Sequence, residues 1–384
     1  MSHVAVKKDL IRWAHERSGV PYEALRKRFP KFDLWERGEA MPTLRQLTDL
    51  AKKTLTPIGY FFLPAPPEDK LPIPDFRTVG DETVKRPSPN LLETVQTMQR
   101  RQGWLRDFLI EQGEPPLSFI GSVSISDEVN AAVTKMRNLL DVSDDWAHHH
   151  ATWTAALSAL CLAADKAGVI VTINSVVGNN NHRKLDTTEF RGFVLSDEYA
   201  PLIFINGADA KAAQMFTLAH EVAHLLIGKG GVFNFRDFLP ADNAVEQFCN
   251  RVAAEFLVPE RELKAAWPDA RKALEPFQVL ARRFKVSPLV ATRRSLDLDM
   301  ISKSAFFDFC REYQEDERRR KTTKASSGDF YATQNFRIGR RFAATVVRAA
   351  KEGRLLYNEA YQLTGLYGKT FDRYAEKFKA RIGA

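Results

Sequence analysis

The stretch FTLAHEVAHLLIG, residues 216–228, places two histidines four positions apart in an otherwise apolar helix. Residues at this spacing differ by about 40° in direction and one turn in height, so His220 and His224 can bind one ion. Glu221 is rotated by about 100° from His220 and can reach a water bound to that ion. The pattern predicts a metal site for hydrolysis, in which Glu221 takes a proton from metal-bound water as it attacks a carbonyl carbon and passes it to the leaving amine.

A catalytic zinc site needs a third protein ligand, with a fourth position open for water. The segment NAVEQFCNRVAAEFLVP is predicted to form a second helix and carries Glu246, 22 residues after His224. This separation is enough to finish one helix, cross a loop and return, so Glu246 is the expected third ligand. Asn250 is expected behind a histidine ring, where its side-chain oxygen accepts the other ring N–H. The rival Glu255 lies about 180° from Glu246 on the helix and is expected to face solvent.

Two nitrogen donors and one oxygen donor favour Zn²⁺, one ion per chain, although Mn²⁺ could occupy the same ligands. A thiolate site and a disulfide framework are not expected, because Cys161, Cys249 and Cys310 are far apart and form no C-x-x-C pair. The triplet His148–His150 is predicted to lie on the surface, since neighbouring helical residues point about 100° apart. Tyr199 is considered as the oxyanion stabiliser, but nothing in the sequence fixes its direction.

The chain of 384 residues is long enough for more than one core, because single cores rarely exceed about 250–300 residues. It contains no apolar run of roughly 18 residues, and its start MSHVAVKKDL lacks a signal region, so a cytoplasmic protein without membrane association is expected. The charge of +8 is concentrated near the ends: residues 1–60 hold twelve Lys/Arg against seven Asp/Glu, and residues 311–350 hold ten against five. This balance favours acidic or nucleic-acid partners, but the cluster DERRRKTTK is expected to be a solvated helix face.

A helix-turn-helix pattern is present near the N-terminus. The order Trp35-Glu36, Gly38, Pro42-Thr43 resembles the second half of a Cro/repressor (XRE-type) domain, in which Trp-Glu ends the recognition helix, glycine turns the chain and Pro-Thr opens the next helix. Between Leu25 and Trp35 the sequence is about four residues, roughly one helical turn, shorter than that pattern. DNA binding and a structural or protein-binding role therefore both remain open.

Composition and periodicity divide the chain into six segments. Five prolines in residues 63–78 predict an extended connector. The predicted segments are a shortened helix-turn-helix-like domain (1–62), a Pro-rich linker (63–80), a helical segment (81–166), a domain with the predicted metal site (167–275), a second helix-turn-helix-like segment (276–302) and a C-terminal helical extension (303–384).

Within the central segment the apolar period changes from helix to strand. GVIVTINSVV, FRGFVLS and PLIFING predict strands, DEYAP a hairpin connection, and VGNNNHRKLDTTE a long polar loop with a solvated His182. The histidine-bearing helix is expected to end at Gly228. The helix with the third ligand is expected to run from about Asp242, a candidate N-cap, to the residue before Pro259.

The series GFVLSDEYAPLIFIN, FTLAHEVAHLLIG and VEQFCNRVAAEFLVP, with LWERGEAMPT and FFLPAPP before it, resembles the ImmA/IrrE family of bacterial HExxH metallopeptidases over at least residues 35–300. In the second helix, Cys249 and Val252 stand where the family usually has Ala and Phe, which are small apolar exchanges. The resemblance implies that His220, His224 and Glu246 are zinc ligands and Glu221 the catalytic base of a gluzincin-like metallo-endopeptidase.

The resemblance also implies a fold and a role. The expected fold is α+β and mostly helical, with a zincin-like core and a small β-sheet flanked by helix-turn-helix-like and helical domains. Family members cleave helix-turn-helix repressors and many are encoded beside toxin–antitoxin genes, so the expected substrate is a repressor or antitoxin encoded nearby, with DNA as a further candidate partner.

A second helix-turn-helix-like pattern, FQVLARRFKVSPLVATRRSLDLDMI, follows the predicted site. Arg293 and Arg294 are candidates for contacts to DNA or a partner, and a purely scaffolding role for the segment is equally open. For the whole chain, the competing interpretation is a DNA- or protein-binding transcriptional regulator or antitoxin-like module with a structural or silent metal site. A third interpretation is metallohydrolase chemistry other than proteolysis.

Overall fold

The computed structural model describes residues 3–73, 86–233, 244–315 and 330–382. The chain divides into two compact units: the first extends to Pro72 and includes the start of a long helix as far as Thr97, and the second runs from Met98 onward. Among the described residues, no helix combines the length and the apolar character that a membrane span requires. The predicted N-cap Asp242 and the basic cluster 316–324 lie outside the described residues.

The first unit is helical. Its elements are α1 Lys8–Ser18, α2 Tyr22–Arg28, α3 Phe32–Arg37, α4 Leu44–Lys53 and a 3-10 helix, Ile58–Phe62. The predicted helix boundaries are confirmed: Gly38 ends α3 in the left-handed conformation, and the Thr43 side chain accepts the backbone N–H of Gln46 to cap α4. Trp35 is fully buried in the core of this unit.

Helix α3, which corresponds to the recognition helix of the resembled domain, has only six residues. Its acidic side chains are held by neighbouring helices: the Tyr22 hydroxyl donates to Asp33 at 2.8 Å, Arg26 pairs with Asp33 at 3.1 Å, and His15 lies 3.2 Å from Glu36. Carboxylates at this position oppose the phosphates of a duplex, and a short helix reaches few bases. The structure thus favours the structural or protein-binding alternative for this unit.

The first part of the Pro-rich segment is packed on the first unit. Residues 63–73 form no helix or strand, as predicted. Lys7 donates to the carbonyl of Pro64 at 2.6 Å, and Arg17 pairs with Asp69 at 3.2 Å with both side chains only 7% exposed. These residues therefore extend the first unit, and residues 74–80 of the predicted linker lie outside the described residues.

The remaining elements form the second unit, which α5 enters at Met98. The helices are α5 Pro89–Glu111, α6 Val129–Leu140, α7 Trp153–Lys166, α8 Lys211–Ile227, α9 Ala244–Leu257, α10 Glu260–Ala270, α11 Pro276–Phe284, α12 Pro288–Asp297, α13 Lys303–Glu315, α14 Phe330–Ile338, α15 Arg340–Lys351, α16 Tyr357–Thr364 and α17 Lys369–Ile382. The strands are β1 Ile170–Asn174, β2 Val176–Val177, β3 Asn180–Lys184, β4 Gly192–Leu195, β5 Leu202–Asn206 and β6 Gly231–Phe233. A short 3-10 helix, Trp146–His149, precedes α7. The described part of the chain is thus mostly helical α+β.

The main sheet has the strand order β1-β5-β4-β6. β1 and β5 are parallel, and β4 and β5 form the predicted antiparallel pair, with Val194 opposite Ile203. Side chains alternate across the sheet: Val171, Val194 and Ile203 lie in one core together with residues of α7, α8 and α9. This face of the sheet therefore supports the histidine-bearing helix α8.

The prediction of an unstructured loop at residues 177–189 is wrong. β2 and β3 form an antiparallel hairpin, which Asn174 stabilises by donating to the carbonyl of Gly178 at 2.7 Å and accepting the backbone N–H of Val176 at 3.3 Å. β3 has the sequence NNHRK and is largely exposed, so no alternation of apolar residues indicates a strand. His182 is exposed, as predicted.

The second helix-turn-helix-like segment belongs to the core of the second unit. Leu280 and Phe284 of α11 and Ala291 of α12 are buried in the same cluster as the apolar residues of α8 and α9. The turn between α11 and α12 is held from α7, because the Trp153 indole donates to the carbonyl of Val286 at 3.1 Å. The arrangement favours the scaffolding alternative for α11 and α12.

The C-terminal helices lie against β1. Gly339, between α14 and α15, has a φ of +88°, which favours glycine. A Cβ at this position would lie 3.0 Å from Ile170 Cγ2 and 3.2 Å from the carbonyl oxygen of Val171. The predicted extension is therefore an integral layer of the second unit, covering a part of β1.

A buried arginine connects α5 to two of the C-terminal helices. The Arg101 guanidinium donates to the carbonyl of Leu363 at 2.8 Å and to the carbonyl of Arg337 at 2.9 Å, in the last turns of α16 and α14. Burial lowers the pKa of Arg101 to about 10, which leaves the side chain charged at neutral pH. The partial negative charge at helix C-termini stabilises the cation in place of a carboxylate.

Arg101→Met should destabilise the second unit, because two partly buried carbonyl groups lose their donor at a cost of up to about 1–3 kcal/mol each. Arg106→Met is the matched control, since Arg106 is in the same helix, is 46% exposed and pairs with Asp197; it should cost less than about 1 kcal/mol. Thermal denaturation followed by circular dichroism measures both variants. Equal midpoints would contradict the role of Arg101.

Candidate metal centre

The three predicted ligands meet at one point between α8 and α9. The Nε2 atoms of His220 and His224 are 2.9 Å apart. Glu246, in the first turn of α9, has its Oε2 atom 3.3 Å from Nε2 of His220 and its Oε1 atom 3.2 Å from Nε2 of His224. Within the described ranges, this is the one group of His, Cys, Asp and Glu side chains that brings three potential ligand atoms within 4.8 Å of one another.

Apolar packing fixes the direction of the histidine pair. Leu218, Val222 and Leu225 bury one side of α8 in the core, and Phe248 and Val252 of α9 lie in the same cluster. α8 ends, as predicted, at Gly228 with a φ of +77°. With both helices anchored in one core, the imidazoles and the carboxylate are held against each other before any ligand binds.

The protonation states suit a cation. Burial by itself raises the pKa of Glu246, but hydrogen bonds from His220 and His224 outweigh this and lower it to about 2. Burial lowers the pKa of His220 to about 4, against the opposing effect of Glu246. A neutral imidazole and an ionised carboxylate are the forms that coordinate a divalent ion.

The donor set also fits zinc in its dimensions. Metal–ligand distances of about 2.0–2.1 Å in a tetrahedral site separate the ligand atoms by roughly 3.3 Å. The separations between the nitrogen and oxygen atoms of this group are 2.9, 3.2 and 3.3 Å. Two imidazole nitrogens and one carboxylate therefore match a three-ligand zinc site in chemistry and in spacing.

Glu221 lies beside this group, packed against the sheet. It is fully buried, and its two carboxylate oxygens have no hydrogen-bond partner among the described residues. Burial, and secondarily the charge of Glu246, raise the pKa of Glu221 well above its ordinary value. A carboxyl group in this setting is a strong proton acceptor once a nearby cation favours its ionised form.

Gly192 of β4 provides the space for Glu221, and the sequence analysis missed it. A Cβ at Gly192 would lie 3.1 Å from Oε1 of Glu221, 2.5 Å from Cγ2 of Thr217 and 2.9 Å from the carbonyl oxygen of Phe204. Helix α8 therefore approaches β4 more closely than any side chain at this position allows. A glycine inside a strand pattern is the sequence signal for such an approach.

Asn250 lies near His220, as predicted. It lies one turn after Glu246 and is close enough to His220 to raise the pKa of that imidazole, although its Oδ1 atom is buried and makes no hydrogen bond within the described structure. The orienting role of Asn250 stays a prediction.

The expectation that Glu255 faces solvent is wrong. Its carboxylate accepts the backbone N–H of Glu260 at 3.1 Å and forms an ion pair with Arg294, so the side chain is largely buried. Glu255 nevertheless does not join the ligand group, which agrees with its place on the far side of α9. The ion pair with Arg294, 39 positions away in the sequence, offsets the cost of burying the Glu255 carboxylate.

The two candidate contact arginines of α12 are engaged within the chain. Arg294 donates to the carbonyl of Val258 at 3.1 Å in addition to its pair with Glu255, and it is only 12% exposed. Arg293 pairs with Asp297 at 2.9 Å. The inward direction of Arg294 is at odds with a contact to DNA or a partner at that residue.

Other residues considered from the sequence lie away from the site. His148 and His149 are exposed and His150 is half-buried, with His149 paired to Asp145. Tyr199 lies in the turn beyond the Leu195 end of β4, whereas Glu221 contacts the Gly192 end. Tyr199 thus has no support as the oxyanion stabiliser.

Two family models match parts of the chain. Residues 164–296 match Peptidase_M78, the IrrE N-terminal-like domain. The match supports the resemblance to the ImmA/IrrE family. It covers β1 to α12, with the whole ligand group, and members of this peptidase family depend on a metal. Residues 338–377 match a domain of unknown function, DUF8813, and among curated proteins none matches the chain.

Gly192→Ala should destabilise the second unit by about 1–3 kcal/mol, because the added methyl group meets the backbone of β5 as well as Thr217 and Glu221. Gly103→Ala is the control: Gly103 lies in α5 with no atom within 4 Å of the added Cβ, and alanine favours a helix by roughly 0.5–1 kcal/mol. Urea denaturation measures both. A Gly192→Ala protein as stable as the parent would disprove the close approach.

Glu246→Ala should lower the affinity for Zn²⁺ more than about 100-fold, because it removes one of three ligands and the only ligand with a formal charge. Glu255→Gln should retain the ion, since Glu255 pairs with Arg294 outside the site. Competition with a chromogenic chelator measures the affinity of each purified variant. Loss of zinc in Glu255→Gln with retention in Glu246→Ala would reassign the third ligand.

Proposed function

We propose that this chain is a zinc-dependent endopeptidase. The observation that carries the proposal is the buried group of His220, His224 and Glu246 with Glu221 beside it. The match of residues 164–296 to a metal-dependent peptidase family supports the same class of chemistry. The assignment of three ligands and one catalytic base belongs to the proposal.

In this mechanism His220, His224 and Glu246 would hold the ion, and Glu221 and Asn250 would have separate tasks. A bound Zn²⁺ supplies an acidified water and a polarised substrate carbonyl. Glu221 takes a proton from the water that attacks the carbonyl carbon, using a carboxylate that makes no competing hydrogen bond among the described residues. It then delivers this proton to the amide nitrogen as the C–N bond breaks. Asn250 orients the ring of His220.

The proposed substrate is a protein, specifically a helix-turn-helix repressor or an antitoxin encoded beside this gene. The support for this choice is the resemblance to the ImmA/IrrE family. The burial of the site also limits the conformation of the substrate. A buried ligand group can be reached by an extended segment of backbone but not by a folded surface. Cleavage is therefore expected in a connector or an unfolded end of the substrate.

Glu221→Gln should retain zinc and lose cleavage by at least about 100-fold, because glutamine keeps the size of the side chain but accepts no proton. The zinc-loaded parent and the variant are incubated with the product of the neighbouring repressor or antitoxin gene, and fragments are identified by mass spectrometry. Equal zinc content, measured by elemental analysis, separates loss of catalysis from loss of the ion.

Two outcomes would contradict this proposal. Unchanged cleavage by the Glu221→Gln protein would remove Glu221 from the role of base. Absence of fragments from the zinc-loaded parent, with the neighbouring protein and with an unfolded general substrate such as casein, would exclude endopeptidase activity and favour a silent metal site.

A further inference from the structure

Helices α16 and α17 are joined in the manner of a helix-turn-helix. The connection contains four residues, 365–368, and both of its glycines have positive φ: +70° at Gly365 and +50° at Gly368. A turn of three or four residues that contains glycine is the connection that DNA-binding helix pairs use.

The burial pattern around this turn is that of a packed helix pair. Ala360 and Thr364 of α16, Leu366 of the turn, and Phe371 and Tyr374 of α17 are all at most 2% exposed. Across the pair, the rings of Tyr357 and Tyr361 in α16 have their centroids 6.1 and 5.4 Å from that of Phe371 in α17. The matched domain of unknown function, residues 338–377, encloses α15, α16 and the first half of α17.

The outward side of the same helix pair carries aromatic rings and charges of both signs, with the basic residues Lys369, Arg373 and Lys377 and the acidic residues Glu359, Asp372 and Glu376 all exposed. Tyr367 in the turn is 65% exposed, and Tyr357 at the start of α16 is 48% exposed. Lys369 and Arg373 occupy the first turns of α17, are exposed, and form no ion pair with a described residue. Residues 330–384 hold eleven Lys/Arg against four Asp/Glu, a net charge of +7.

The other two helix-turn-helix-like segments differ in this respect. The carboxylates of α3, Asp33 and Glu36, are held by residues of α1 and α2, and α3 has six residues where α17 has 14. In α12, Arg294 is directed into the core of the unit. Among the three segments, α16 and α17 alone combine a full-length second helix with outward basic residues at its start.

A hairpin lies beside this turn. Asn179, between β2 and β3, donates to the carbonyl of Gly365 at 3.0 Å and accepts from Arg337 at 3.1 Å. The following strand β3 carries Arg183 and Lys184. The hairpin therefore fixes the position of the turn.

We propose that α16 and α17 form a DNA-binding helix-turn-helix that places the start of α17 in the major groove of double-stranded DNA. In such motifs the first residues of the second helix contact base edges and the first helix crosses the sugar-phosphate backbone. Tyr367, Lys369 and Arg373 are then the residues that meet the groove, and Tyr357 faces the backbone. Asp372, exposed between them, repels phosphate as the carboxylates of α3 would, and in the groove it can only accept a hydrogen bond, as from the amino group of cytosine.

The test uses the full chain and a fluorescent DNA duplex of random sequence, followed by selection from a duplex library. Fluorescence anisotropy should show binding that weakens steeply between about 50 and 200 mM salt, since phosphate contacts release counterions. The double variant Lys369→Ala/Arg373→Ala should bind the selected duplex at least about tenfold more weakly. Tyr367→Ala should lose binding in the same direction, with an unchanged circular dichroism spectrum.

The control removes the same charge elsewhere. Lys272→Ala/Lys303→Ala deletes two exposed lysines that lie outside α14–α17 and should change the affinity less than about twofold. An equal loss of DNA affinity in both double variants would mean that net charge alone causes the binding, and it would overturn the proposal. Absence of duplex binding by the parent protein at low salt would also overturn it, and a protein partner would then be the alternative for this surface. Glu221→Gln should bind DNA as the parent does, so this result is independent of the proposed peptidase activity.

Discussion

The structure of the second unit depends on one costly arrangement: an ionised carboxylate and two imidazoles buried together between α8 and α9. An isolated charge in a protein interior is strongly unfavourable, and here Glu246 is compensated by His220 and His224 at 3.2–3.3 Å. This compensation requires that two helices separated by β6 and a connector meet within hydrogen-bond distance. The shared core of α7, α8, α9 and the sheet holds the two helices in place, and a divalent cation would complete the charge balance of the site.

The helical periodicity predicted that His220, His224 and Glu246 come together, because every relation it needed is local. His220, Glu221 and His224 lie within two turns of one helix, and Glu246 begins the next helix of the chain. Gly192 could not be assigned in the same way, because its importance arises from the distance between α8 and β4, which no local pattern encodes. Glu255 was misplaced for a related reason: its partner Arg294 is 39 positions away in the sequence.

The strands also fall into two groups: those that the local sequence predicts, and one whose formation depends on residues far away in the sequence. β1, β4 and β5 are apolar and were predicted, since burial on both faces of a sheet demands such runs. β3 has an exposed and polar sequence, and its pairing with β2 depends on Asn174 and on the neighbouring turn of α16 and α17. The fold class was therefore accessible from the sequence, whereas the hairpin required the positions of elements from the other end of the chain.

The three helix-turn-helix-like segments show why a motif alone does not define a surface. In each segment, two helices joined by a short turn pack their apolar side inward. The segments differ in whether their charged side chains are paired within the protein or exposed to solvent. Arg26 is paired with a carboxylate of α3, and Arg294 with a carboxylate of α9, so these charges are used within the protein. Lys369 and Arg373 are exposed without such a partner among the described residues, which leaves their charge to act on a ligand. The proposed assignment of DNA binding to α16 and α17 follows from this electrostatic difference.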